Sequence, residues 1–146
     1  MTDRPLWFDA EHTHAAAGVF LLTTDGRVVL QLRDNVPDIH YPGMITTFGG
    51  AAEPGETSTD CALRELHEET GLSPRPEELS LIGSVSRIDF RGNRTASVFF
   101  SLAGVEPSAL VITEGTAIVL TWPEIARDPR ITPNCRDMAT RISSLA

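Results

Sequence analysis

Residues 57–71 carry the strongest punctuation in the chain and constrain its fold most. Thr57 predicts an N-cap, and Asp60 three residues later makes an acidic variant of the capping box. Gly71 predicts a left-handed stop, with Leu72 placed for the apolar contact that follows one. The stretch between them reads as a helix over Thr57 to Thr70. On a helical wheel Leu63, Leu66 and Thr70, with Ala62 at the boundary, form the stripe expected to pack inward. Glu65, Glu68 and Glu69 fall within an arc of about 100° beside it, and Cys61 lies on that carboxylate side. Carboxylates three and four apart on one helix face make an oxygen surface suited to a hard cation. A solvated acidic face has the same pattern, so the three glutamates alone do not decide between the two.

One such helix cannot cover its own apolar stripe, so the rest of the chain must supply a partner layer. Ala16–Thr23 reads as a buried strand, Asp25-Gly26 as a tight turn, and Arg27–Arg33 as the hairpin partner. Asp34 to Thr47 reads as a loop broken by Pro37, Pro42 and Gly43, ending in a short strand at Ile45–Thr47. Gly49 to Gly55, with three glycines and Pro54, reads as another loop. Leu79–Phe90 and Arg94–Ala103 predict a second hairpin turned by Arg91-Gly92-Asn93. In the latter strand Ala96, Val98, Phe100 and Leu102 alternate with polar residues, while Phe99 breaks the alternation and predicts a covered outer face. Ala117–Leu120 is a further strand, Thr121-Trp122-Pro123 opens a short helix, and Thr132-Pro133 opens a terminal one with Met138, Ile142 and Leu145 on its core face. Hairpins interleaved with helices imply an α/β fold, a mixed sheet with helices on both faces. No repeat or linker divides residues 1–146, so one domain is expected.

Charge narrows the chemistry. The net charge is −8, and all 12 basic residues are arginine. Without lysine there is no Walker phosphate loop, Schiff base or Ser-x-x-Lys nucleophile. Phosphate must be held by arginine, backbone N–H groups or a metal. The acidic balance argues against a nucleic-acid polymer as partner but not against a small anion reached through a cation. The longest apolar run, Ala15 to Leu22, is too short to cross a bilayer. Met1 to Trp7 lacks the apolar core of a signal peptide. Two isolated cysteines, Cys61 and Cys135, suit a reducing compartment, and a cytoplasmic location is expected. Asn93-Arg94-Thr95 matches a glycosylation acceptor, which has no meaning without secretion.

The segment from Gly50 to Leu72 resembles the signature of the Nudix (MutT-like) hydrolases, G-x5-E-x7-R-E-U-x-E-E-x-G-U with U aliphatic. Gly50, Glu56, Arg64, Glu65, Leu66, Glu68, Glu69, Gly71 and Leu72 fill every fixed position. The resemblance implies a Nudix-type α/β/α sandwich and Mg²⁺- or Mn²⁺-dependent attack of water on a diphosphate bond in a nucleoside diphosphate derivative. A nucleoside triphosphate or sugar nucleotide is the expected substrate. It further implies Glu65 as base or metal ligand, Glu69 as central ligand, Glu68 as a further ligand and the Gly49 carbonyl as a backbone ligand. Glu56 and Arg64 resemble an orienting ion pair outside the chemistry.

Beyond the signature, Glu114 resembles the loop carboxylate that completes the metal site or acts as base in several family members. Arg33, Arg94 and Asn134 resemble substrate contacts of nucleotide-hydrolysing members. Phe48 stands where many members carry proline and resembles a branch with Phe-Gly-Gly; it is read as a pocket wall or as core. His12 and His14 read as surface residues, His67 as a packing or surface residue, and His40 as a loop residue within reach of a substrate. Two alternatives stay open: a Nudix module that senses a nucleotide without cleaving it, and an isoprenoid diphosphate isomerase, which needs an acid/base pair typically involving a cysteine. The sequence leaves the oligomeric state open, with a homodimer among the outcomes.

Overall fold

The computed structural model describes residues 14–88, 92 and 94–145. In it, Thr57 Oγ1 accepts the Asp60 N–H at 3.1 Å, and Gly71 closes the helix in the left-handed region at φ 79°. The helix α1 so bounded runs Ser58–Thr70. Its partner layer is a mixed sheet of β1 (His14–Leu22), β2 (Val28–Leu32), β3 (Ile45–Thr46), β4 (Phe48–Ala51), β5 (Leu79–Ile88), β6 (Arg94–Leu102) and β7 (Thr116–Leu120). The order along the main path is β3-β2-β1-β6-β5, with β4 paired to β1 and β7 to β2. The β1–β6 pair is parallel and the remaining strand pairs are antiparallel.

One edge of β1 serves two strands in succession. Ala16–Val19 pair with β4, and then Leu21 and Leu22 pair with β2. The sheet therefore splits between β4 and β2, and a cavity of about 170 Å³ opens beside the split. The loop expected over Gly49 to Gly55 is a strand in its first part, because two glycines let β4 lie flat against β1. A Cβ on Gly49, at φ 153°, would stand 2.0 Å from the Ala17 carbonyl oxygen. Glycine-rich sequence hid this strand from a reading based on side-chain propensity.

Two apolar clusters sit on opposite faces of the sheet. Val19, Leu21, Val29, Phe48, Val98 and Phe100 pack under Cys61, Ala62 and Leu66 of α1. Phe20, Val28, Leu30 and Phe99 pack under α2 (Trp122–Arg127) and α3 (Pro133–Leu145). Phe99 thus marks a second covered face, as its break in the alternation predicts. Met138 is buried and Ile142 packs at the rim of the second cluster; the Leu145 side chain, His12 and residues 91 and 93 of the predicted turn lie outside the described residues. Among the described residues no helix is long and apolar enough to cross a membrane.

The inward face of α1 differs from the expected one. Its buried residues are Ser58, Cys61, Ala62, Leu66, Glu69 and Thr70. Leu63 is only half-buried, and Cys61 belongs to the core rather than to an open carboxylate face. Glu69 occupies the middle of the buried stripe, at 5% exposure. Leu66, Thr70 and Ala62 are buried as expected, and the stripe is rotated away from Leu63 toward Cys61 and Glu69, because the sheet beneath α1 offers polar partners that accept a carboxylate.

Candidate functional site

Arg64 organises the first half of α1. Its Nε and Nη2 donate to the two oxygens of Glu56 at 2.7 and 2.9 Å, a forked pairing that a lysine could not make. Nη2 also donates to the Ala51 carbonyl at 3.0 Å, tying α1 to the end of β4. Nη1 reaches Glu65 at 3.0 Å and Glu68 at 3.3 Å. The guanidinium beside Glu56 holds that carboxyl below the usual range, and the Glu53 N–H adds to the effect. Glu68 is largely exposed.

The second half of α1 is built differently. Glu65 lies so close over Gly50 that a Cβ there would stand 2.7 Å from its carboxyl carbon. Burial pushes Glu65 up, against the pull of Arg64, with Glu68 and Glu114 adding repulsion. Glu69 Oε1 accepts the Gly49 N–H at 2.7 Å, and Oε2 accepts from Gln31 Nε2 at 3.3 Å. These donors are neutral. Burial pushes Glu69 up to about 7, and the charges of Glu65 and Glu114 push the same way.

Glu114 is held near the helix by backbone. The last carbonyls of α1 need donors, and the loop after Leu110 supplies them. Val111 N–H bonds Thr70 O at 3.0 Å, Thr113 N–H bonds Glu69 O at 3.2 Å, and Thr113 Oγ1 bonds Glu68 O at 2.9 Å. This capping brings the next residue, Glu114, into electrostatic reach of both Glu65 and Glu69.

The cavity at the sheet split is lined by Arg33, His40, Tyr41, Thr132 and Asn134 and by the backbone of Gly49 and Gly50. Arg33 also lines a neighbouring cavity of about 140 Å³ with Gln31 and Glu114. Its Nε is buried without a hydrogen-bond partner. The structure therefore gathers Gly49, Glu65, Glu69, Glu114, Arg33 and Asn134 into one region. Phe48 does not line either cavity; its ring is fully buried under α1, which makes it core. Arg94 is exposed at the start of β6, away from the walls of both cavities. Asn134 Oδ1 accepts from Arg87, which also binds Asp137. His67 is exposed and bonds Ser73 at 2.9 Å. Gln31 went unnoticed in the sequence. The available signal was a polar residue inside the run Val28-Val-Leu-Gln-Leu32, where every neighbour is apolar.

A family model described as NUDIX domain matches residues 12–126. The chain belongs to the NUDIX family. An ADP-ribose pyrophosphatase of Methanocaldococcus jannaschii is 34% identical over 89 residues, 60% of this chain and 51% of that protein. An isopentenyl-diphosphate Delta-isomerase of Streptomyces griseus is 44% identical over 62 residues, 42% of this chain and 31% of that protein. The matched stretch thus spans about half the length of these curated relatives or less. The crystal structure of a MutT protein from Methanosarcina mazei Go1 superposes with a TM-score of 0.76 at 17% identity, covering 94% of this chain and 97% of that one. The α/β sandwich described above is therefore the NUDIX fold.

Glu65, Glu68, Glu69 and Glu114 form an all-oxygen donor set of the kind Mg²⁺ or Mn²⁺ prefers. Burial leads the upward shifts of Glu65 and Glu69; Arg64 offsets part of it at Glu65, whereas Glu69 has no cationic partner among its hydrogen bonds. As the side chains stand, no three of the described His, Cys, Asp or Glu residues converge on one point, since Glu65 leans on Arg64 and Glu69 on Gly49. The residues fit a cation in chemistry and charge; Glu65 would exchange its arginine contact for the ion.

Proposed function

We propose that this chain hydrolyses a phosphoanhydride bond in a nucleoside diphosphate derivative, a nucleoside triphosphate or a sugar nucleotide, with Mg²⁺ or Mn²⁺. The observation that carries the reading is the buried carboxylate Glu69, surrounded by neutral donors and further acids, beside cavities walled by Arg33. Such an arrangement repels a diphosphate unless cations intervene. Glu65, Glu69 and Glu114, with Glu68 and the Gly49 carbonyl, would hold those ions. When bound, they supply charge neutralisation at phosphate and a more acidic water. Arg33, with its unpartnered Nε, would grip the phosphate chain, and Asn134 would stand at the nucleoside end of the cavity. The carboxylate of Glu65 or Glu114 would take the proton of the attacking water. Glu56 and Arg64 keep α1 fixed to β4 while the charge beside them changes.

The isomerase alternative gains nothing from Cys61. That thiol is fully buried in the α1-side core, its Sγ lies 3.5 Å from the Gly50 carbonyl, and burial pushes it up to about 12. A protonated thiol in the core cannot exchange protons with an isoprenoid chain. Against a purely sensing module stands the full acid set, which binding alone does not require. The test is a hydrolysis screen of nucleoside triphosphates, sugar nucleotides and dinucleotides with Mg²⁺, with products identified. Turnover that EDTA abolishes and Glu69→Gln removes supports the reading; binding without turnover across the panel refutes it.

A further inference from the structure

Gln31 stands on β2 with its side chain on the same face as Val29, one strand period away, pointing under α1. An apolar residue would serve packing there, and Gln31 is 2% exposed. Its Nε2 donates to two acceptors from two different elements. One is Glu69 Oε2 on α1 at 3.3 Å, and the other is the Glu114 carbonyl on the loop before β7 at 3.1 Å. The Glu114 carbonyl can only accept, so the amide atom that faces it must be the nitrogen. Oε1 is thereby fixed as the other arm, and it is buried with no donor in reach. Gln31 also lines the cavity of about 140 Å³ that Arg33 and Glu114 wall. A buried amide oxygen without a donor is costly, and a cavity of this size admits water.

We propose that Gln31 is a positioning residue: its amide nitrogen ties the Glu69 carboxylate to the Glu114 loop, and its amide oxygen accepts a hydrogen bond from a water in the adjoining cavity. This rests on the hydrolase reading above. The role is the division of one amide between two tasks. The donor end holds the Glu69 carboxylate and the Glu114 backbone in a single arrangement. The acceptor end orders a water on the side where Glu114 and Arg33 face the cavity. A hydrophobic residue of equal length would preserve the packing of β2 beneath α1 and lose both.

Two variants and one spectroscopic readout test this. Gln31→Met keeps length and burial, and Gln31→Asn keeps the amide but withdraws it by one methylene. Both are expected to hold the KM for the best nucleotide of the screen within about threefold and to lower kcat by about tenfold to a hundredfold. In the metal-free wild type, the Gln31 side-chain NH2 protons should exchange slowly, shift when Glu69 is changed to Gln, and give a cross-relaxation peak to a long-lived water. Wild-type kcat in both variants overturns the proposal. So does an NH2 group that exchanges like a free amide or lacks the water peak. If Gln31→Met does not fold, Gln31→Asn and the NH2 readout decide. If the wild type itself shows no divalent-dependent hydrolysis, the hydrolase reading falls and the proposal falls with it, and slow NH2 exchange then shows a tie that is only structural.

Discussion

The acids at the two ends of α1, Glu56 just before it and Glu69 in its last turn, stand under opposite conditions. Near its start Glu56 is forked onto Arg64 and sits below the usual carboxyl range. Near its end Glu69 is deeper, receives only neutral N–H groups, and is pushed up to about 7. The protein pairs one acid with its own cation and gives the other only neutral donors. Under the proposed function, Glu56 serves structure with its own arginine while Glu69 takes its counter-charge from a bound cation.

The sharpest way to break that contrast is Glu69→Gln. If the charge at Glu69 serves a bound cation, turnover should fall about a hundredfold to a thousandfold or more while the circular dichroism spectrum is unchanged. Near-normal metal-dependent hydrolysis would remove Glu69 from the site.

Next in size is a pH effect on the metal-free protein. The folded-state value for Glu69 lies above its unfolded one. Its contribution to stability is therefore fully present below about pH 4.5 and is lost as pH rises through about 7. The loss amounts to about 3 kcal/mol by pH 8. Urea denaturation between pH 5 and 8 should show stability falling with pH, flattened in Glu69→Gln and restored in the wild type by added Mg²⁺. A flat or rising profile in the metal-free wild type contradicts the assignment of Glu69 as the uncompensated acid.

Arg64→Met probes the other half of the helix. It strands Glu56, which is mostly buried, and frees the end of β4, so a loss of about 2 kcal/mol is expected in urea denaturation. Glu56 works in the opposite sense from Glu69: its contribution holds at neutral pH and is lost as pH falls through the acid range. The smallest effect belongs to Glu68→Gln. With a side chain 56% exposed, its bond to Arg64 should change stability by less than about 0.5 kcal/mol. A larger loss in chemical denaturation would mean that Glu68 is part of the structural half after all.

Much of this architecture was legible because it follows from local rules. Thr57 and Gly71 bound α1 where capping chemistry places them, and Asp25-Gly26 turns the first hairpin. Phe99 announced a second covered face by falling out of alternation. The misreadings share a cause. Gly49 and Gly50 suggest a loop because glycine carries no strand propensity, yet it is their lack of Cβ that lets β4 meet β1 and Glu65 settle on β4. Glu69 was placed beside the buried stripe rather than within it, since a helical wheel does not reveal that Gly49 and Gln31 wait beneath with donors. Phe48 and Cys61 were offered roles that burial removes. Gln31 escaped notice because its partners lie 38 and 83 residues away along the chain.

The central claim is that Glu69 and its acidic neighbours take their counter-charge from a divalent cation. Calorimetric titration of the metal-free protein with Mn²⁺ at pH 6.5, in two buffers of different ionisation enthalpy, tests it most directly. The account predicts binding with release of a substantial fraction of one proton, and loss of that proton release in Glu69→Gln. A wild type that binds no Mn²⁺, or that binds it with the same proton balance as Glu69→Gln, would contradict it.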